Sequence, residues 1–168
     1  MSQQIVPERV IGIGILSGMV AGLITGTGAR IAMRIVAMAA NRSPIFTVGG
    51  TFFILFIGFL GGLIIGFIIS IISVLLTQYG IVKRYYPGPI LKGLIFSMLL
   101  FLILGLPNFL NTSPDNDLSI GPPYLGRSLF GALFIIFGLT LGIAEKLLDR
   151  YLPVKPYVID TPDSRVDD

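Results

Sequence analysis

From Ser43 to Val82 the chain carries no charged residue, and within that stretch an apolar run extends from about Gly50 to Leu76. Such a run exceeds what is needed to cross roughly 30 Å of hydrocarbon. Backbone polar groups immersed in lipid must bond to one another, which a helix does internally. Three other runs have the same character. One begins near Val10, stays apolar to about Gly28, and continues as a helical pattern through Arg30 and Arg34 to Ala39. The others cover about Ile90 to Leu106 and Leu125 to Leu148. The expected fold class is therefore an all-α integral membrane protein with four transmembrane helices packed as a bundle. Its spans are placed at about 10–39, 50–77, 90–106 and 125–148, within a membrane domain of residues 1–150.

The breaks between runs have local causes. Asn41, Arg42, Ser43 and Pro44 end the first, and Pro87, Pro89 and Pro107 bracket the third. Gly121-Pro122-Pro123 leads into the fourth, where proline suits a helix start. The Gly61-Gly62 pair allows a kink or a re-entrant pair of half-helices in the second run. The first run is read as a retained helix rather than a cleaved signal, because its flank is weak (Glu8 beside Arg9) and the run is long. Residues 151–168, with Pro153, Pro156, Pro162 and a terminal Asp-Ser-Arg-Val-Asp-Asp, cannot bury a core and are expected to form a disordered polar tail.

Composition removes whole classes of chemistry. With 54% hydrophobic and 12% charged residues, the chain is too apolar for an ordinary soluble domain. Absent cysteine excludes thiol catalysis and Cys-ligated metals. Absent histidine removes the commonest general base and metal or haem ligand. Neither a cofactor nor a metal is expected. Between Glu8 and Asp115 there is no Asp or Glu, although Arg9, Arg30, Arg34, Arg42, Lys83, Arg84 and Lys92 fall there. Cation-coupled transporters place a carboxylate in the membrane, and the first three runs offer none. The positive charges are scattered at helix ends rather than gathered in a patch, so nucleic acid is not an expected partner.

Lys and Arg also set orientation. With the N-terminus inside, cytoplasmic segments hold Arg9, Lys83, Arg84, Lys92, Lys146, Arg150, Lys155 and Arg165, against Arg30, Arg34, Arg42 and Arg127 outside. The bias predicts N-in and C-in, with the loop from Asn108 to Tyr124 outside. The expected location is the cell membrane, multi-pass.

Small residues recur every fourth position. Gly14, Gly18, Gly22 and Gly26 form one ridge, and Gly58, Gly62, Gly66 and Ser70 a second. Gly93 with Ser97, and Gly138 with Gly142, mark the third and fourth runs. Residues four apart stack on one side of a helix, and bare ridges let membrane helices approach closely. These glycines are expected to pack helices, within the bundle or against a partner.

The first ridge continues at the same spacing into Arg30 and Arg34. They either snorkel to lipid phosphates and water or turn into the bundle, where Asp115 and Asp117 are the candidate counter-charges. Arg42 and Arg127 compete for the same aspartates. The excess marks Arg30, Arg34, Arg42 and Arg127 as candidate contacts for an anion or a lipid phosphate. On the inner side, Lys83, Arg84, Tyr85, Tyr86 and Lys92 read as an interfacial belt. Glu145 and Asp149, interleaved with Lys146 and Arg150, read as a solvated helix end.

Phosphate-loop and dinucleotide motifs fail on spacing. The membrane serines have no His or acidic neighbour in sequence, so nucleophilic catalysis is not expected. Gly50-Thr51 followed by Gly58 in a glycine-rich helix resembles the second helix of the small dual-topology fluoride channels. Those are four-helix proteins with an arginine late in the first helix. Leu55 stands where that pattern has asparagine, and the Phe/Thr/Ser-rich pore motif of the third helix is missing between Ile90 and Leu106. The selectivity residues are thus absent, and no family is assigned. The expected function is that of a small non-catalytic polytopic protein, a subunit or assembly factor packing against partner helices through glycine ridges. Its partners are the lipid bilayer and other membrane subunits or copies of itself. The alternative is a small oligomeric channel or transporter with an arginine-lined outer anion site.

Overall fold

The computed structural model describes residues 7–42, 47–78, 88–110, 122 and 124–152. All regular structure among them is helical: α1 (Pro7–Ala39), α2 (Val48–Gln78), α3 (Pro89–Leu100), a π-helical turn (Phe101–Gly105), α4 (Leu106–Leu110) and α5 (Leu125–Tyr151). α1, α2 and α5 are long and apolar enough to cross a membrane, while Pro89–Gly105 is a shorter apolar helix. These features define a helical membrane protein. Asp115, Asp117, Lys83 to Tyr86 and the tail from Pro153 lie outside the described residues.

The helix ends follow local chemistry. α1 begins at Pro7, whose fixed φ and missing N–H suit a first helical position. It ends in a Schellman motif: Asn41 takes a left-handed φ of 54°, its N–H donates to Met38 O, and the Arg42 N–H donates to Ala37 O. α2 runs unbroken through Gly61-Gly62, so the re-entrant pair of half-helices that those glycines allow does not occur.

Pro107 does not end the third helical segment, contrary to the sequence expectation. The chain continues helically through Leu110, but only after widening into the π turn. There the Leu106 N–H reaches back to Phe101 O, five residues away. Proline cannot donate to the carbonyl four residues earlier and crowds it, so the turn before it opens instead of closing. An edge-on contact of Phe101 with Phe134, at a centroid distance of 5.3 Å, holds this widened segment to α5, and Phe130 packs edge-on against Phe134 within α5 at 5.2 Å.

The principal packing pairs are α1 with α2, α1 with α5, and α3 with α5. Ala21 of α1, Ile69 of α2, and Phe137 and Leu141 of α5 form the core, with Ile65 and Phe96 packed against it. All four long segments thus meet near mid-height. The start of α1, the end of α2, the start of α3 and the end of α5 share one end of the bundle, as their cross-contacts require.

Candidate functional site

Glycine ridges bring two helix pairs to backbone contact. In the antiparallel α1–α2 pair, Gly14 meets Gly66 and Ser70, Gly18 meets Gly62 and Gly66, Gly22 meets Gly58 and Gly62, and Gly26 meets Ile54 and Leu55. A methyl at Gly22 would lie 3.0 Å from the Gly62 Cα, and closer still to the Gly58 carbonyl. One at Gly58 would lie 2.6 Å from Gly22 O. In the α3–α5 pair, a methyl on Gly138 would sit 2.8 Å from Gly93 O, and one on Gly142 would sit 2.6 Å from Pro89 O. In lipid, where apolar burial gives no preference for helix contact over lipid contact, this close approach supplies the dispersion and weak Cα–H···O attraction. The buried serines stay neutral by bonding within their own helices: Ser17 to Ile13 O, Ser70 to Gly66 O and Ser73 to Ile69 O.

The end of the bundle that carries both described chain ends holds a charged clasp. Lys92 sits in the first turn of α3, where the helix dipole disfavours a cation. Its ammonium is paired with Glu145 of α5, with side-chain exposures of only 8% and 17%. One turn further along α5, Asp149 pairs with Arg9 of α1 at 2.9 Å. The Arg9 guanidinium also donates to the Asp149 and Leu152 carbonyls, at 3.1 and 2.7 Å, and so caps the C-terminus of α5. Two carboxylates four apart on one helix thereby hold the starts of two others.

This clasp corrects the sequence reading on two residues. Lys92 is not part of a wet interfacial belt, and Glu145 is not on a solvated helix end. Lys92 is buried and Glu145 half-buried because the glycine contact draws the start of α3 close against α5. The signal was in the ridges. Laying Gly93 antiparallel beside Gly138 and Gly142 puts Glu145, one turn beyond Gly142, across from the first turn of α3.

The Arg9–Asp149 pair is more open, at 31% and 64% side-chain exposure, so screening limits it. Asp149→Asn is expected to change stability by less than ~1 kcal/mol. Arg9→Ala, which also removes the α5 cap, is expected to cost more, about 1–2 kcal/mol. Thermal unfolding of both variants in one detergent ranks them.

At the opposite end, the described charged side chains are all arginines. Arg30 is half-buried and donates its Nε to Thr51 Oγ1 of α2 at 3.3 Å. Arg127 is also half-buried, while Arg34 and Arg42 are exposed. The arginines therefore differ in burial. Beside them a crevice of about 370 Å³ opens between α1 and α5, with Arg42 on its wall and otherwise lined by residues such as Ala32, Met33, Val36, Leu129 and Phe130. Ala29, Phe130 and Leu133 also line a second cavity of about 270 Å³, which reaches Gly61 and Phe137 at mid-height. The second cavity has an almost wholly apolar wall. Thr25, the side chain with a hydroxyl on it, buries its Oγ1 without a hydrogen-bond partner.

No protein-family model, curated protein or solved structure matches this chain. Its function therefore has to be argued from the arrangement of its own residues.

Proposed function

We propose that this is a small polytopic membrane protein without catalytic machinery, a subunit or assembly factor that packs against partner helices. On this reading the four-helix bundle sits in the cell membrane with both chain ends inside, as the Lys/Arg bias favours. The observation that carries the proposal is the outward side of α2. Of its most apolar window only 17% is buried within the chain, against 33% for α1 and 28% for α5. That side presents Phe53, Phe56, Leu60, Ile64 and Phe67, all exposed, at successive intervals of three, four, four and three. Such spacing makes one continuous seam of the kind a neighbouring helix interdigitates with. Because the glycine ridges are occupied within the chain, the partner meets this seam rather than the ridges.

Purification in mild detergent followed by native mass analysis tests the proposal. The expected species is larger than one chain, and Phe56→Ser with Phe67→Ser lowers recovery of the partner at least tenfold without lowering the melting temperature of the bundle. A lone monomer with nothing co-purifying overturns the reading.

A second reading, a small oligomeric channel or transporter with an outer anion site, draws on the arginine-bearing end. It requires an anion to pass the almost wholly apolar mid-height cavity, which costs several kcal/mol without a paired charge. Arg30→Gln combined with Arg34→Gln would reduce anion flux into liposomes on this reading. Unchanged flux eliminates it.

A further inference from the structure

We propose that the crevice between α1 and α5 is a binding site for an anionic glycerophospholipid, with one acyl chain in the crevice and the phosphate on Arg42. This goes beyond the docking of a protein partner and uses a different surface of the molecule. Shape comes first. Small side chains leave the space unfilled: Ala29 and Ala32 on α1 and Gly126 on α5 line it. Ala29, Phe130 and Leu133 also line the mid-height cavity, so apolar space lies on both sides of these three side chains. Met33 lines the crevice and is itself 54% exposed, which leaves the side open to the surrounding bilayer. A chain can therefore enter laterally without crossing a polar barrier.

Charge comes second. Arg42 is not on a free loop, because the Schellman motif fixes its backbone one step beyond the left-handed Asn41, with its N–H held by Ala37 O. Ala37 and Arg42 both line the crevice, so the guanidinium stands where a headgroup would lie if its chain ran along α1. Arg34, exposed, adds a positive charge at the same end. The described carboxylates, Glu8, Glu145 and Asp149, all sit at the other end. A guanidinium matches a phosphate with two parallel hydrogen bonds. The positive field then favours a lipid with net negative charge over a zwitterion whose own ammonium offsets its phosphate.

The test compares lipids of one chain composition on the full chain in detergent. Palmitoyl-oleoyl phosphatidylglycerol is expected to raise the melting temperature and to remain bound, one per chain, in native mass spectra. The phosphatidylcholine with the same chains should be retained at least tenfold less. Arg42→Gln is expected to abolish that preference, and Ala32→Phe, which fills the crevice, to abolish retention of both lipids. If Ala32→Phe fails to fold, the native chain still decides: glycerophosphoglycerol, the headgroup without chains, and inorganic phosphate should neither bind nor compete. Equal retention of the two lipids, a preference that survives Arg42→Gln, or displacement by either chainless anion overturns the proposal.

Discussion

Gly22→Val is expected to force α1 away from α2 and cost about 3 kcal/mol or more, at or beyond the upper range of overpacking. The reason is what the new side chain would strike. At most packed positions an added methyl meets the end of a flexible side chain that can rotate away. At Gly22 it meets the Gly58 carbonyl and the Gly62 Cα, which belong to the backbone of an unbroken helix. Relief requires the whole of α2 to move, and that movement also opens the contacts at Gly14, Gly18 and Gly26. Helical content should persist, since each segment satisfies its own backbone in lipid or detergent. Far-ultraviolet dichroism should therefore stay constant while resistance to protease and to unfolding by dodecyl sulfate falls. Gly12→Val is the control, because nothing lies within 4 Å of a Cβ there. It should change stability by less than ~0.5 kcal/mol, as for an ordinary surface substitution. Equal losses at both positions would show that glycine contributes backbone properties rather than close approach.

Glu145→Leu is expected to cost about 3 kcal/mol, because it leaves the buried Lys92 ammonium without its counter-charge. The double variant Lys92→Met with Glu145→Leu should recover most of that loss, since removing both charges also removes their desolvation penalty. Unfolding of the four species in one detergent closes the cycle and yields the coupling between the two residues. A double variant as unstable as the single one would mean that the pair does more than neutralise itself. Should Glu145→Leu alone prove neutral, the ammonium must reach water by another path, and the clasp contributes little to holding α3 on α5.

The clasp shows why a local reading stops where it does. Residues 92 and 145 are separated by 53 positions, and each stands among neighbours that suggest exposure: Lys92 close to Lys83 and Arg84, Glu145 beside Lys146 and Asp149. Charge patterns along a helix report what is adjacent in sequence. Burial is decided by what packs across. The arginines divide for the same reason. Arg30 and Arg34 share one helical ridge, yet one is half-buried against Thr51 and the other is exposed. α2 covers the ridge at the position of Arg30, whereas Arg34, one turn later, lies beyond the level at which α2 begins.

Pro107 is a related case. Its chemistry, the missing N–H and the crowded carbonyl, is legible without a structure and argues for a break. Whether the chain breaks or widens depends on what holds the next turn in place. Here Phe134 of α5 holds the widened turn through Phe101, so the helix continues.

The amino-acid sequence alone determined that this chain is helical and apolar enough for a membrane. It determined where the long helices run to within a few residues, and that glycine recurs on one side of each. These are properties of single segments, set by hydropathy over about 20 residues and by the 3.6-residue turn. Only the tertiary structure decided that the ridge of α1 closes on that of α2 and the ridge of α3 on that of α5. Buried Lys92, its pairing with Glu145, and the crevice beneath Arg42 follow from those pairings. In lipid every apolar face is equally satisfied, so the choice between one ridge and another rests on shape and polar contacts between segments. No single segment carries that information.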